Sequence, residues 1–129
     1  MKAFLKNYHQ SPRKVRLVAN AIRGKSVVQA QRSLMFMNKY AAPAIGKLLD
    51  SAIANARSSG ATAEELFIKT IAVNKGVVGK RGRPFARGRS GVIRKTMSHV
   101  SLELGRSAPA AKKSPRAKKA SAKKVAAKK

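Results

Sequence analysis

Apolar residues recur along this chain in two rhythms. Val15, Val18, Ala19 and Ile22 fall at i, i+3, i+4 and i+7, one stripe of a helix. Ser11-Pro12 precedes them, a capping residue and a proline suited to the first helical position, and Gly24 follows where a left-handed residue ends a helix. The spacing predicts a helix over 11–23. Ser26 is a second capping residue, and Val27, Ala30, Leu34 and Met37 predict a helix over about 26–38. Met35, Phe36 and Met37 are expected to serve core or surface packing and not a cofactor. The strongest periodic signal is Ile45, Leu48, Leu49, Ala52, Ile53 and Ala56, a third helix starting near Ala41–Pro43 and ending at Ser58-Ser59-Gly60.

The second rhythm is that of strands. Ala3 to Tyr8 is short and mixed and predicts a short strand. Leu66 to Val73 is β-branched and aromatic. Val100, Leu102 and Leu104 alternate with Ser101 and Glu103, the period of a half-buried strand, within a segment from Val92 to Leu104. Between these last two lies Gly76 to Gly91, with five glycines, one proline, five Lys/Arg and no carboxylate. The segments combine into one long hairpin over 66–104 with a tip over 76–91. Its extended half reaches roughly 25 Å past the body. A two-stranded ribbon is only marginally stable in water, so the tip is expected to be mobile alone and ordered by a partner. The fold class expected is α+β: three helices on a small antiparallel three-stranded sheet, with that extended hairpin.

Charge changes the picture. The chain has 30 Lys+Arg against 4 Asp+Glu, a formal charge of +26 over 129 residues. Ten of the basic residues lie from Arg106 onward, so residues 1–105 still hold 20 against four acids. Self-repulsion on this scale calls for an anionic partner, and nucleic acid is the common one. No segment is apolar enough to span a membrane, and a basic amphipathic surface helix accounts for less of the chain than nucleic acid does, so no membrane partner is expected. Residues 1–105 are expected to form one globular unit. Residues 106–129, mostly Ala, Lys, Ser and Pro, are expected to be a disordered tail. Cysteine is absent, which excludes disulfides and thiolate metal sites. Met1 to Gln10 lacks the apolar stretch of a secretory signal, so the cytoplasm is the expected location.

Catalytic arrangements are not apparent. Asp50, Glu64, Glu65 and Glu103 include no pair that the sequence places for general acid and base work. His9 and His99 have no Cys or carboxylate at metal-ligand spacing, so neither metal nor cofactor is expected. Ser98 and His99 are neighbours on a strand and point to opposite faces. The glycine-rich stretch lacks the Gly-Lys-Ser/Thr of a phosphate loop. The positive signal is basic residues in a glycine-bearing ribbon, which neutralise phosphates and release counterions. Arg13, Arg16 and Arg23 lie off the apolar stripe of the first helix, as a solvated face or as a face toward phosphates. Phe85 either stacks on a base or steadies the turn.

A family resemblance narrows these readings. Ser11-Pro12-Arg13-Lys14-Val15-Arg16-Leu17-Val18-Ala19, Ile22-Arg23-Gly24-Lys25, Ala30 and Leu34 come first. Leu49-Asp50-Ser51-Ala52-Ile53-Ala54-Asn55-Ala56 follow. Lys80-Arg81, Pro84, Ala86-Arg87-Gly88-Arg89, Ile93, Lys95 and Ser98-His99-Val100 complete the series. Over roughly residues 5–104 the chain closely resembles the universal large-subunit ribosomal protein family numbered twenty-two in bacterial naming. The resemblance implies a structural constituent of the large ribosomal subunit, not an enzyme. It implies binding to 23S rRNA, help in subunit assembly, and a hairpin that lines the nascent-peptide exit tunnel. Carried over, Lys80, Arg81, Arg83, Arg87 and Arg89 contact RNA on the tunnel side, Arg13, Lys14 and Arg16 hold the body on RNA, and Lys95 and His99 contact it from the returning strand. The tunnel-lining tip is Arg81, Gly82, Arg83, Pro84, Phe85, Ala86 and Arg87. The implied partners are 23S rRNA, other large-subunit proteins and the passing nascent peptide, with no homo-oligomer. The implied location is the large subunit in the cytoplasm, and an organellar ribosome fits as well. The competing reading is a histone-like DNA-compacting protein, because Ser114-Pro115-Arg116-Ala117-Lys118-Lys119 resembles linker-histone tails.

Overall fold

A computed structural model of the chain describes residues 1–106. Strand β1 spans Lys2–Tyr8, helix α1 Pro12–Ile22, helix α2 Val27–Met35 and helix α3 Ala41–Ser58. A single 3-10 turn at Ala63–Glu65 leads into β2, Leu66–Pro84, and β3, Ser90–Arg106, returns beside it. The sheet is antiparallel in the order β1-β3-β2, with three helices around it, the α+β architecture expected. Strand β3 continues through Arg106, one residue past the expected boundary. The remainder of the expected tail lies outside the described residues.

The helix stripes are the core. Val15, Val18, Ala19 and Ile22 of α1 are buried, as are Val27, Ala30 and Leu34 of α2. The α3 face buries Ile45, Leu48, Leu49 and Ile53, with Ala41, Ala42, Ala52 and Ala56 between them. The small alanines let α3 approach β1 closely, where Asn55 Nδ2 donates to the Lys2 carbonyl at 3.1 Å. Ser26 caps α2 with its side chain, accepting from the Gln29 N–H at 3.4 Å. Ser11 departs from the expectation: its hydroxyl makes no capping bond, and its carbonyl accepts the Lys14 and Val15 N–H groups instead. Gly24 takes the left-handed conformation, φ +73°, and its N–H donates to the Ile68 carbonyl, tying the α1–α2 turn to β2. Helix α2 stops at Met35, short of the expected 38. Met35 and Phe36 then lie on the surface, 82% and 90% exposed.

The ladder of β2 with β3 runs further than the glycine content suggested. It pairs residues from Leu66↔Arg106 to Pro84↔Ser90, so only 85–89 form the turn. The segment 76–91 is therefore mostly strand. Two extra residues in β2 set which faces point inward. The register slips between Ile68 and Thr70, leaving Lys69 unpaired. That slip lets Leu66 and Ile68 face the core before it and Ile71 and Val73 after it. A second slip lies between Lys75 and Val78. From Asn74 to Met97 no residue is buried. The hairpin thus has a root inside the body and an arm outside it, with Val77, Val92 and Ile93 exposed along the arm.

Candidate nucleic-acid interface

The arm presents its charges on both faces. Antiparallel pairing sets Gly79 opposite Lys95, Arg81 opposite Ile93 and Arg83 opposite Gly91, all on one face. Lys80 pairs with Arg94 on the other. Arg94 was not singled out from the sequence, although its place directly across from Lys80 makes a like-charge pair that raises the demand for an anion. The turn is built, not shapeless. Phe85 N–H donates to the Arg89 carbonyl at 2.8 Å, Arg89 N–H donates to the Ala86 carbonyl at 3.4 Å, and Arg87 and Gly88 have φ +58° and +69°. The Phe85 ring folds back over Gly91, where a side chain would collide with it, and the Arg83 guanidinium sits 5.6 Å from the ring centroid. Phe85 steadies the turn in this geometry and remains half exposed.

Two of the singled-out residues are committed to the fold. Arg16 donates through Nε and Nη2 to the Val73 carbonyl at 3.2 and 2.9 Å. Arg23, seven residues on at the C-terminal cap of α1, donates to the Ile71 carbonyl at 3.0 Å. Strand β2 is an edge strand, and these guanidiniums occupy carbonyls that its open edge leaves unpaired. The i, i+7 spacing of Arg16 and Arg23 was the available signal, but their target depends on which strand packs beside α1. His99 is half-buried at the junction of body and arm. Its Nδ1 accepts the Asn7 N–H at 3.1 Å, and its Nε2 lies against Gly76. Both irregularities meet there: β1 slips between Leu5 and Tyr8 with Asn7 at φ +54°, and β2 slips at Lys75/Val78.

Arg13 and Lys14 stand exposed on the first turn of α1. Lys14 joins Arg81 and Lys95 around a cleft of about 520 Å³ between the start of α1 and the arm. Arg13 and Lys14 also border a neighbouring hollow with Lys39 and Tyr40. No acid lines either one. Glu103 pairs with Lys2 at 2.8 Å, and the hydrogen bond with Lys2, then its charge, holds the Glu103 carboxyl below its ordinary value and raises Lys2. Asp50 accepts from Gln31 Nε2 at 3.0 Å, and Glu64 and Glu65 lie in the 3-10 turn. Among the described residues no three His, Cys, Asp or Glu side chains gather as a metal site, and no helix is long and apolar enough to cross a membrane.

Comparison with known proteins agrees with the sequence pattern. The family model described as ribosomal protein L22p/L17e matches residues 3–105. Proteins named large ribosomal subunit protein uL22 are among the similar chains. The one from Rubrobacter xylanophilus is 48% identical over 106 residues, covering 81% of this chain and 84% of its own. That from Mesoplasma florum is 50% identical, covering 78% and 91%, and that from Mycoplasma mycoides is 51% identical, covering 77% and 90%.

Proposed function

The chain belongs to the ribosomal protein L22p/L17e family, and from that premise we propose that it is a structural, non-catalytic constituent of the large ribosomal subunit. It binds 23S rRNA, aids subunit assembly, and sets its arm along the wall of the nascent-peptide exit tunnel. The observation that carries this reading is the arm itself: a two-stranded ribbon with basic side chains on both faces, no acid and no buried residue between Asn74 and Met97. Such a ribbon has no core to stabilise it, and an RNA sheath supplies both the counter-charge and the packing. Arg13, Lys14, Lys80, Arg81, Arg83, Arg87, Arg89 and Lys95 are the RNA contacts. Arg16 contributes through its remaining Nη1, and His99 acts by holding the junction from which its strand enters RNA. The tip from Arg81 to Arg87, with Gly82, Pro84, Phe85 and Ala86, faces the tunnel and the passing peptide.

Sucrose-gradient fractionation of a lysate at low magnesium tests this. The protein is expected to migrate with the large subunit. Recovery with the nucleoid and absence from subunits overturns the reading in favour of DNA compaction.

A further inference from the structure

We propose that the cleft between the α1 N-terminus and the arm takes one RNA phosphodiester, and that its occupancy fixes the inclination of the arm on the body. This rests on the ribosomal-RNA reading above and specifies where the arm and body share a ligand. The cleft draws its three cations from three elements: Lys14 from α1, Arg81 from β2 and Lys95 from β3. Three like charges facing one cavity repel each other, and each of the four acids of the chain lies elsewhere in the fold. All three side chains are exposed, so solvent ions screen them in the free chain, and a tetrahedral anion with several acceptor oxygens is the ligand whose chemistry suits a cleft lined this way. Gly79 gives the cleft its floor. It faces the same side of the ribbon as Arg81 and Lys95, and a Cβ there meets nothing closer than the Lys95 carbonyl oxygen at 3.8 Å. The space is thus left open by the sequence, not demanded by the backbone.

The position matters for geometry. The cleft sits just beyond the second slip of β2, where β1 has ended and the sheet narrows to two strands. A ribbon leaving a sheet at a bulge bends there readily. Empty, the cleft pushes arm and body apart by charge; filled, it draws α1, β2 and β3 onto one phosphate.

Gly79→Val separates this site from general electrostatics, because it keeps every charge, suits a strand and sets a branched apolar side chain on the cleft wall between Arg81 and Lys95. The chain has no cysteine, so Ser51→Cys on α3 and Ser90→Cys at the arm end accept a pair of spin labels. With saturating purified 23S rRNA, the label-to-label distance distribution of the otherwise native chain is expected to narrow. In Gly79→Val the narrowing is expected to be lost, and the slope of log affinity against log salt to fall by about one. The smaller side chain of Gly79→Ala is expected to leave most of both intact. Equal narrowing in Gly79→Val, or no narrowing in the native background while rRNA is bound, overturns the proposal. Failure of the native chain to bind rRNA at all overturns the underlying functional reading instead.

Discussion

Among the described residues Ser98 is the one polar residue with a fully buried side chain, and its Oγ has no hydrogen-bond partner. A buried hydroxyl without a partner costs free energy that an apolar atom of the same shape does not. Ser98→Ala is therefore expected to leave stability unchanged or raise it by up to about 1 kcal/mol, measured from the urea midpoint. Two other residues tie stability to pH. Glu103 is held low by the hydrogen bond to Lys2 and then by its charge, so its contribution is full above the ordinary carboxylate value and is lost as pH falls through the depressed one. Tyr8 runs the other way. Burial first, then Tyr40, raises its phenol, whose hydroxyl donates to the Tyr40 carbonyl at 3.2 Å. Its contribution is full below the ordinary tyrosine value of about 10 and is lost as pH climbs through the raised one. Amide protection, corrected for the intrinsic pH dependence of exchange, is expected to fall first at the Lys2↔Glu103 end of β1 in acid, and near Tyr8 in alkali.

Among the elements, α1 has two jobs on two faces. Its apolar stripe fills the core, and its flanking Arg16 and Arg23 close the edge of β2 at Val73 and Ile71. Removing either guanidinium is expected to cost about 1–2 kcal/mol in urea unfolding, the range for a charged donor discounted for partial exposure. Arg16→Lys is expected to recover only part, because an ammonium cannot reproduce the fork that sends Nε and Nη2 to one carbonyl. The turn of the hairpin makes a different prediction. Gly91→Ala puts a methyl where the Phe85 ring lies, so the ring must swing out and leave Arg83. NMR should show shifted Phe85 and Arg83 resonances with the body unchanged, since no residue between Asn74 and Met97 is buried.

At the scale of the whole molecule, salt acts with opposite signs on folding and on binding. A formal charge of +26 opposes the compact state of the free chain, and screening relieves it. Added salt is thus expected to raise the thermal midpoint of the isolated protein. The same salt weakens rRNA binding, because counterion release drives it. Arg87→Ala with Arg89→Ala is expected to reduce the binding slope by about two while the free protein unfolds as before. A fall in stability for that double variant means that the arm belongs to the cooperative core, against the burial pattern that separates root from arm.

Much of this molecule follows from local order in the chain. The three helices stand where the 3.6-residue stripes predict them, because each stripe needs an apolar surface to face and Gly24 and Gly60 adopt the left-handed turns their positions call for. The period-two pattern of Val100, Leu102 and Leu104 likewise survives folding unchanged. The charge and its exclusion of acids from the arm are properties of the sequence alone. Tertiary structure decided the rest, since each remaining feature joins residues distant along the chain. The slips beside Lys69 and Gly76 depend on strand partners about thirty-five and twenty residues away, and no periodicity announces an extra residue. Arg16 looks like one more surface cation until β2 comes to lie beside α1. The cleft exists only because Lys14 and Lys95, separated by most of the body, are brought to one side of the ribbon, and there three dispersed charges become a site.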